Sequence, residues 1–557
     1  MKRTRRSITV VLIACILSGA PAIVASAQMV FPGEQWQEAT PESQGVDSRK
    51  LEAAVSYLKS HSGSDGVTEL VIIRNGYMIF KGSNIDKMHG VWSLTKSFTS
   101  TVLGLLIDDG KATLDTFAKD YVPSMATAYP YVILCQFATM SSGYYAVGDE
   151  PRGSYKHGPS LTPFEPSPTP LFTPPGSRYA YWDSAMNQFA NVLTRIAGEP
   201  IEDLFKQRIA DPIGMDRAKW DWGDFGKVDG LVVNGGAGNN NKHVFISARE
   251  LARFGHLFLN RGKWKDKQLI SAWWIDEATR PQVPPLIPLE KLSAADGRGV
   301  YGFNWWVNGV KRDGKRKWPR APVRTYAASG YNNNDMFVIP EWNMVVVRLG
   351  LDQNDVPITD ATYSTFLQKI GDAIIHDSKT EYGRQRTEGG RQSSSILERI
   401  GVTRGICVLP GDAKGALAIE LARASDLLIY VQLPQDRDVE KVRQAADAAG
   451  LYGTRIFVDK GPLDRLNLAD NIADAVVVLG GANRVSKSEA LRVLRPGGKA
   501  LLGGDVLVKP FPAGADDWSH PYHGPDNNPQ SDDRVVRAPY LTQFLVEPRY
   551  APLPQVA

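Results

Sequence analysis

Val91-Trp92-Ser93-Leu94-Thr95-Lys96-Ser97-Phe98 opens a stretch whose apolar residues, Phe98, Val102, Leu105 and Leu106, recur at helical spacing until Gly110 stops it. Ser93 and Lys96 stand three residues apart, so on a helix they share a face and the hydroxyl can meet the amine. A serine hydroxyl is a weak nucleophile until a base takes its proton, and a lysine serves when desolvation or neighbouring charge frees its amine. At a helix start the hydroxyl also lies near the positive end of the helix dipole, which favours an oxyanion. Spacing alone is a weak signal, because Ser56-Tyr57-Leu58-Lys59 has it too. Ser56 falls inside an amphipathic helix rather than at its start, and reads as half of a solvated surface pair.

Outward from that stretch, 557 residues imply more than one domain, and 43% hydrophobic with 22% charged residues is the composition of a soluble globular chain. A net charge of +4, from 64 basic and 60 acidic residues, leaves no footprint for nucleic acid. Lys2, Arg3, Arg5 and Arg6 precede an apolar run from Ile8 to about Ala25 that ends in Ala25-Ser26-Ala27. That order reads as a secretory signal over residues 1–27 cut after Ala27, giving a periplasmic or secreted protein with no stable membrane span after cleavage. A retained anchor helix, a twin-arginine signal around Arg5-Arg6 and a lipobox ending at Cys15 are the alternatives. Of three cysteines, Cys15 lies in the signal, and Cys135 and Cys407 are far apart, so neither a disulfide framework nor a cysteine metal site is implied.

Val71 to Phe80 reads as two strands around the Asn75-Gly76 turn. A Pro/Gly/Ser-rich loop spans 153–176, helical patterns cover 184–197, 201–210, 248–260 and 273–279, strand-like runs cover 336–339 and 344–349, and a helix closes near 365–376. Strands at both ends with helices between predict an α+β domain over 35–376 whose terminal strands share a sheet. Residues 377–397 are polar and Gly/Ser-rich, a linker. From 398 to 510 strands and helices alternate, which predicts an α/β domain with a doubly wound parallel sheet. Residues 511–557 are rich in Pro, Asp and Asn and read as an irregular tail.

The first domain resembles the β-lactamase-related serine hydrolases, the family of class C β-lactamases, D-Ala-D-Ala peptidases and family VIII-type esterases. Four blocks carry this, in the family's order: Val91–Phe98; Ala138-Thr139-Met140-Ser141-Ser142-Gly143; Pro175-Gly176-Ser177-Arg178-Tyr179-Ala180-Tyr181-Trp182-Asp183; and Ile246-Ser247-Ala248-Arg249-Glu250-Leu251-Ala252-Arg253-Phe254-Gly255. The resemblance implies an antiparallel sheet flanked by helices and an acyl-enzyme on Ser93. It implies that Lys96 and Tyr181 share the base and proton-shuttle work, and that the Ser93 and Tyr331 backbone N–H groups form the oxyanion hole. Asp183 stands where the family has asparagine; a carboxylate there favours charged Lys96, which makes Tyr181 at least as good a base. The family's last motif, Lys-Thr-Gly or His-x-Gly, is matched by Ala328-Ser329-Gly330. Alanine removes the cation that would hold a substrate carboxylate, which points away from penicillins and towards a neutral ester or small amide. Asp183, Ser329, Gly330 and Asn332 are the expected substrate-binding positions; Asn332-Asn333-Asn334 also reads as an ordinary Asn-rich turn. No G-x-S-x-G or H-E-x-x-H is present, so an α/β-hydrolase elbow and that zinc site are disfavoured. His89 reads as a loop histidine with a backbone partner, and Trp92, Trp305 and Trp306 as mostly core.

Residues 400–510 resemble class I methyltransferases through Leu491–Lys499 and Leu468–Asp474, but Pro410-Gly411-Asp412-Ala413-Lys414-Gly415 lacks the G-x-G-x-G loop and Gln432 stands where an acid would hold the ribose. That domain reads as a degenerate Rossmann-like module, with no cofactor expected. Asp516–Pro529 looks like the join before a quinoprotein-type β-propeller, and His520 and His523 read as an ordered loop rather than a metal site. The expected function is an exported serine hydrolase acting on a small-molecule ester or amide. A D-Ala-D-Ala peptidase or β-lactamase, a non-catalytic penicillin-binding-like protein and a methyltransferase are its rivals.

Overall fold

The computed structural model describes residues 29–149, 160–239, 241–375, 395–449, 451–478 and 485–516, with residues 393 and 534. The signal at 1–27, most of the linker, part of the 153–176 loop, and His520 and His523 in the tail lie outside them. The chain forms two compact units, Met1–Ile375 and His376–Ala557. No helix among the described residues is long and apolar enough to cross a membrane.

In the first unit α1 (Ser48–Ser60) leads to the hairpin β1 (Glu69–Arg74) and β2 (Tyr77–Lys81), then β3 (His89–Gly90) and α2 (Thr95–Asp108). The middle carries α3 (Leu134–Ala138), α4 (Asp183–Ala197), α5 (Ile201–Phe205), β4 (Trp220–Trp222), β5 (Asp224–Val228), β6 (Leu231–Asn234), β7 (Val244–Ile246), α6 (Ala248–Leu259), β8 (Lys263–Trp264), β9 (Lys267–Gln268) and α7 (Ala272–Ala278). β10 (Trp306–Val307), β11 (Tyr326–Gly330), β12 (Asn334–Ile339), β13 (Met344–Leu349) and α8 (Asp360–Ala373) complete it. The main sheet has six strands in the order β10-β11-β12-β13-β1-β2, all antiparallel. Its first and last strands in sequence do meet, with Glu69 opposite Leu349 and Arg74 opposite Met344. Asn75 and Gly76 both take positive φ, 53° and 87°, as the two-residue hairpin turn requires.

Alternation along the strands divides two cores. Val71 and Ile73 face α2, α4 and α6, whereas Leu70 and Ile72 face α1 and α8. α1 presents Leu51, Ala54, Val55 and Leu58 at helical spacing, with the Asp47 carboxylate accepting from Lys50 N at its start. α8 begins at Asp360, five residues earlier than the apolar pattern suggests, because the Thr359 hydroxyl caps it by accepting from Thr362 N. α2 differs from a one-faced helix: every residue from Thr95 to Leu106 is buried. Its polar positions are satisfied inside, Ser97 Oγ donating to Asn304 O (2.9 Å) and Ser100 Oγ to Phe303 O (2.6 Å).

The second unit has a six-stranded sheet in the order β16-β15-β14-β17-β18-β19, made of β14 (Arg404–Pro410), β15 (Asp426–Leu433), β16 (Ile456–Lys460), β17 (Ala473–Val478), β18 (Leu494–Leu502) and β19 (Asp505–Val508). The pairs are parallel except β18–β19, an antiparallel edge that the βα rhythm did not anticipate. Helices α9 (Ala416–Ala424), α10 (Asp436–Ala448) and α11 (Lys487–Val493) lie between the strands in sequence. Residues 395–400 are helical and send Ile396 and Ile400 into this unit's core, so ordered structure starts inside the stretch expected as linker.

Asp335 on β12 is buried opposite Ser329 of β11, and burial pushes its carboxyl up to about 6. The folded value lies above the unfolded one, so folded protein holds this proton while the unfolded chain sheds it, and stability falls as pH rises from about 4 to about 6. Asp335→Asn is expected to lose that dependence, a difference of about 2–3 kcal/mol, measured as the pH profile of the first unit's urea midpoint.

Candidate active site

Ser93 sits in a single 3-10 turn, Trp92–Leu94, that runs directly into α2. Trp92 takes φ +46°, a strained left-handed conformation for a bulky residue. Backbone packing holds the turn there. A Cβ built on Gly330 would lie 2.0 Å from Val91 O and 3.0 Å from Leu94 N. One on Gly238 would lie 2.7 Å from Ser93 N and from Trp92 C. Only glycine lets both segments come this close. β7 braces the same turn: Val91 N donates to Val244 O (2.9 Å) and Val244 N to Thr95 Oγ1 (2.9 Å).

One helical turn after Ser93, Lys96 Nζ donates to Ser93 Oγ at 2.7 Å and to Asp183 Oδ1 at 2.7 Å. The Lys96 and Asp183 side chains are 1% and 0% exposed. Asp183 is the first residue of α4, where the helix dipole supports a carboxylate. Lys96 Nζ also lies 4.5 Å from the centre of the Tyr181 ring. Tyr181 is fixed by its N–H donating to Ser293 Oγ (2.8 Å) and by Trp306 stacked at 6.1 Å. Burial pushes its hydroxyl far above the usual phenol range and the Asp183 charge adds to this, while a hydrogen bond with Ser93 opposes them. Tyr181 is therefore a neutral hydroxyl at rest. The sequence reading has Tyr181 share base and proton-shuttle work with Lys96, and its neutral hydroxyl beside Ser93 is placed to take part in that shuttle.

The structure thus gathers Ser93, Lys96, Tyr181 and Asp183, and Gly330 touches their turn. Ser329 does not join them. Its neighbours separate, Ala328 into the core beside α2 and Ala327 into the core beside α8, and Ser329 shares the second face, opposite Asp335 in the β11–β12 register. Strand alternation puts Ser329, an expected substrate-binding position, on the face of β11 opposite Ala328. Asn332 takes φ +66° and its N–H donates to Gln353 Oε1 (2.7 Å). Asn333 Nδ2 donates to Asp352 Oδ1 (3.0 Å) and Asn334 Nδ2 to Tyr331 O (2.6 Å). Asn333 therefore ties the turn to the segment after β13, and Asn334 spends its amide on the turn itself. Tyr331, 44% exposed, donates to Asn354 Oδ1 (2.5 Å) and meets Trp92 edge-on at 5.9 Å.

Several neighbours had escaped the sequence reading. His243 stacks on Trp92 at 5.3 Å, and burial pulls its imidazole down to about 4, so it is neutral. Gly238 belongs to Gly235-Gly236-Ala237-Gly238, a glycine run that signals close backbone approach. Tyr301, Ser293 and Asn304 come from segments with no local signal. His89 bonds Glu69 Oε2 (2.8 Å) and Gly90 O (2.9 Å), a satisfied buried histidine. No group of three or more His, Cys, Asp or Glu that could hold a metal occurs among the described residues.

Residues 59–359, more than half of the chain, match the Beta-lactamase family, and the chain belongs to it. It is thus a β-lactamase-family hydrolase by fold. It is similar to the D-alanyl-D-alanine-carboxypeptidase/endopeptidase AmpH of Escherichia coli, 30% identical over 176 residues, 28% of this chain and 45% of that protein. The match therefore spans less than half of that relative. It is also similar to the 6-aminohexanoate-dimer hydrolase of Paenarthrobacter ureafaciens, 20% identical over 301 residues, 49% of this chain and 72% of the relative. Among solved structures, a penicillin-binding-protein homologue from Caulobacter crescentus aligns with TM-score 0.44 at 16% identity, covering 59% of this chain and 98% of its own.

Gly330→Ala forces a methyl group against Val91 O. It is expected to destabilise the first unit by about 1–3 kcal/mol, read as a lower urea midpoint.

Proposed function

We propose that this protein is a serine hydrolase that forms an acyl-enzyme on Ser93 and cleaves a neutral ester or small amide. The observation that carries the reading is Lys96 Nζ held 2.7 Å from Ser93 Oγ and from Asp183 Oδ1 inside a water-poor core, with the Tyr181 hydroxyl bonded to the same serine. In that arrangement Ser93 Oγ attacks the substrate carbonyl. Tyr181, as a hydroxyl, accepts one proton while releasing another towards the leaving group. The Ser93 and Tyr331 backbone N–H groups are the assigned donors to the oxyanion. Lys96 adds its positive charge beside the developing one.

Position 328, where the family's cation would stand, is a buried alanine 1% exposed. A substrate carboxylate gains no charge-assisted bond there, which favours a neutral substrate. The similarity to the Escherichia coli carboxypeptidase/endopeptidase supports a second reading, a peptidoglycan peptidase. For the second unit the reading is a degenerate, methyltransferase-like Rossmann module. The Asp412 carboxylate accepts from Gly415 N (3.1 Å) and Ala418 N (2.9 Å), taking the helix-start donors an anionic group would use. Gln432 is saturated, donating to Arg465 O (2.9 Å) and accepting from Asn467 N (2.7 Å). Export after cleavage at Ala27 completes the proposal.

A fluorophosphonate probe is expected to add its mass to the Ser93 peptide, and Ser93→Ala to abolish both labelling and p-nitrophenyl ester turnover. Absence of adduct and turnover favours a binding protein, and rapid nitrocefin hydrolysis defeats the argument from Ala328. N-terminal sequencing of the exported protein is expected to start at Gln28; a start at Met1 refutes cleavage.

A further inference from the structure

We propose that Asp149 is a positioning residue for the reaction: its carboxylate grips the residues on either side of Asp183 and so fixes the stretch of chain that carries Tyr181 and Asp183 to Ser93. The inference rests on the serine-hydrolase reading.

α4 starts without a cap of its own. A helix start is normally tied by a Ser, Thr, Asp or Asn side chain that accepts from the first turn. That position is Trp182, whose side chain has no acceptor and makes no capping bond. The tie comes instead from far upstream. Trp182 Nε1 donates to Asp149 Oδ2 (2.8 Å) and Ser184 Oγ to Asp149 Oδ1 (2.5 Å), across 33 and 35 residues of chain. Each oxygen holds one flank of Asp183, so that residue cannot swing away from Lys96 without breaking one of the two bonds. Tyr181, one residue before Trp182, is fixed by the same tie together with Ser293.

Asp149 is itself held. Its Oδ2 also accepts from Ala146 N (2.8 Å), and its own N–H donates to Ala146 O (3.2 Å). This turn follows the Ser141-Ser142-Gly143 block, and just before that block Met140 O accepts from Ala180 N (2.8 Å). The two blocks are thus joined both before and after Tyr181. Asp149, Trp182 and Ser184 are all buried, so a bond lost here leaves a polar atom with no water to replace its partner. The Tyr181 hydroxyl feels the charge of Asp183 and not that of Asp149. Asp149 therefore acts through position rather than through its field.

The test uses the full chain, with kcat and KM for p-nitrophenyl acetate taken per site that a fluorophosphonate titrates to completion. Misplacing a reacting group by about 1 Å costs on the order of a hundredfold in rate. Ser184→Ala, which removes one side of the grip, is expected to lower kcat about tenfold, and Asp149→Ala, which removes both, about a hundredfold, each with KM within about twofold. Adding Ser184→Ala to Asp149→Ala is expected to cost less than about twofold more, because the serine acts through the carboxylate. Losses that simply multiply overturn the proposal. So does a urea midpoint that falls while kcat per titrated site stays at the wild-type value, the behaviour of a merely structural carboxylate. Should Asp149→Ala fail to fold, Ser184→Ala decides alone, since it leaves the carboxylate bonded to Trp182 and Ala146: a lowered kcat at unchanged KM supports the grip, and an unchanged kcat overturns it. A wild-type protein that neither labels at Ser93 nor turns over the ester refutes the hydrolase reading instead.

Discussion

The contact between Lys96 Nζ and Asp183 Oδ1 ties the helical half of the first unit together. Two charges removed from water cost several kcal/mol each unless paired and hydrogen-bonded, so α2 and the start of α4 must meet in one geometry or not at all. That constraint propagates. Ser93 lies one turn before the lysine, and Tyr181 lies two residues before the aspartate. Fixing the pair therefore fixes the nucleophile and the hydroxyl beside it. The cost of burial is offset by the α4 dipole, by the Ser93 contact and by the aromatic ring over the ammonium.

Around the pair, the nucleophile turn is shaped from outside. Trp92 would not hold φ +46° by its own preference, and the clamp of Gly238 and Gly330 against the turn keeps it there. β11 has two roles on two faces. Through Ala328 and Gly330 it packs towards α2 and the turn, and through Ala327 it packs into the core with α8.

The second unit shows the same separation between element pattern and site. Its βα rhythm yields the six-stranded sheet, while Asp412 accepts from Gly415 N in its own loop and Gln432 is saturated by bonds to Arg465 O and Asn467 N. Departures visible in the residues there coincide with side chains turned inward onto their own backbone.

Much of this protein could be read along the chain, because its signals are local. The Asn75-Gly76 hairpin, the helices at 183–197 and 248–259 and the alternation of the second unit depend on periodicity and turn chemistry within a few residues. The Ser93–Lys96 spacing and the ordered blocks around it pointed to the chemistry in the same way. Side-chain direction and distant approach had no such signal. That Ser329 faces away, that α2 is buried on every side, and that Gly238 and His243 crowd the turn follow from strands and loops far apart in sequence. Nor could residue type alone say whether Tyr181 would be a base or a hydroxyl. Burial and the nearby Asp183 charge, which hold its hydroxyl neutral, belong to the packed molecule.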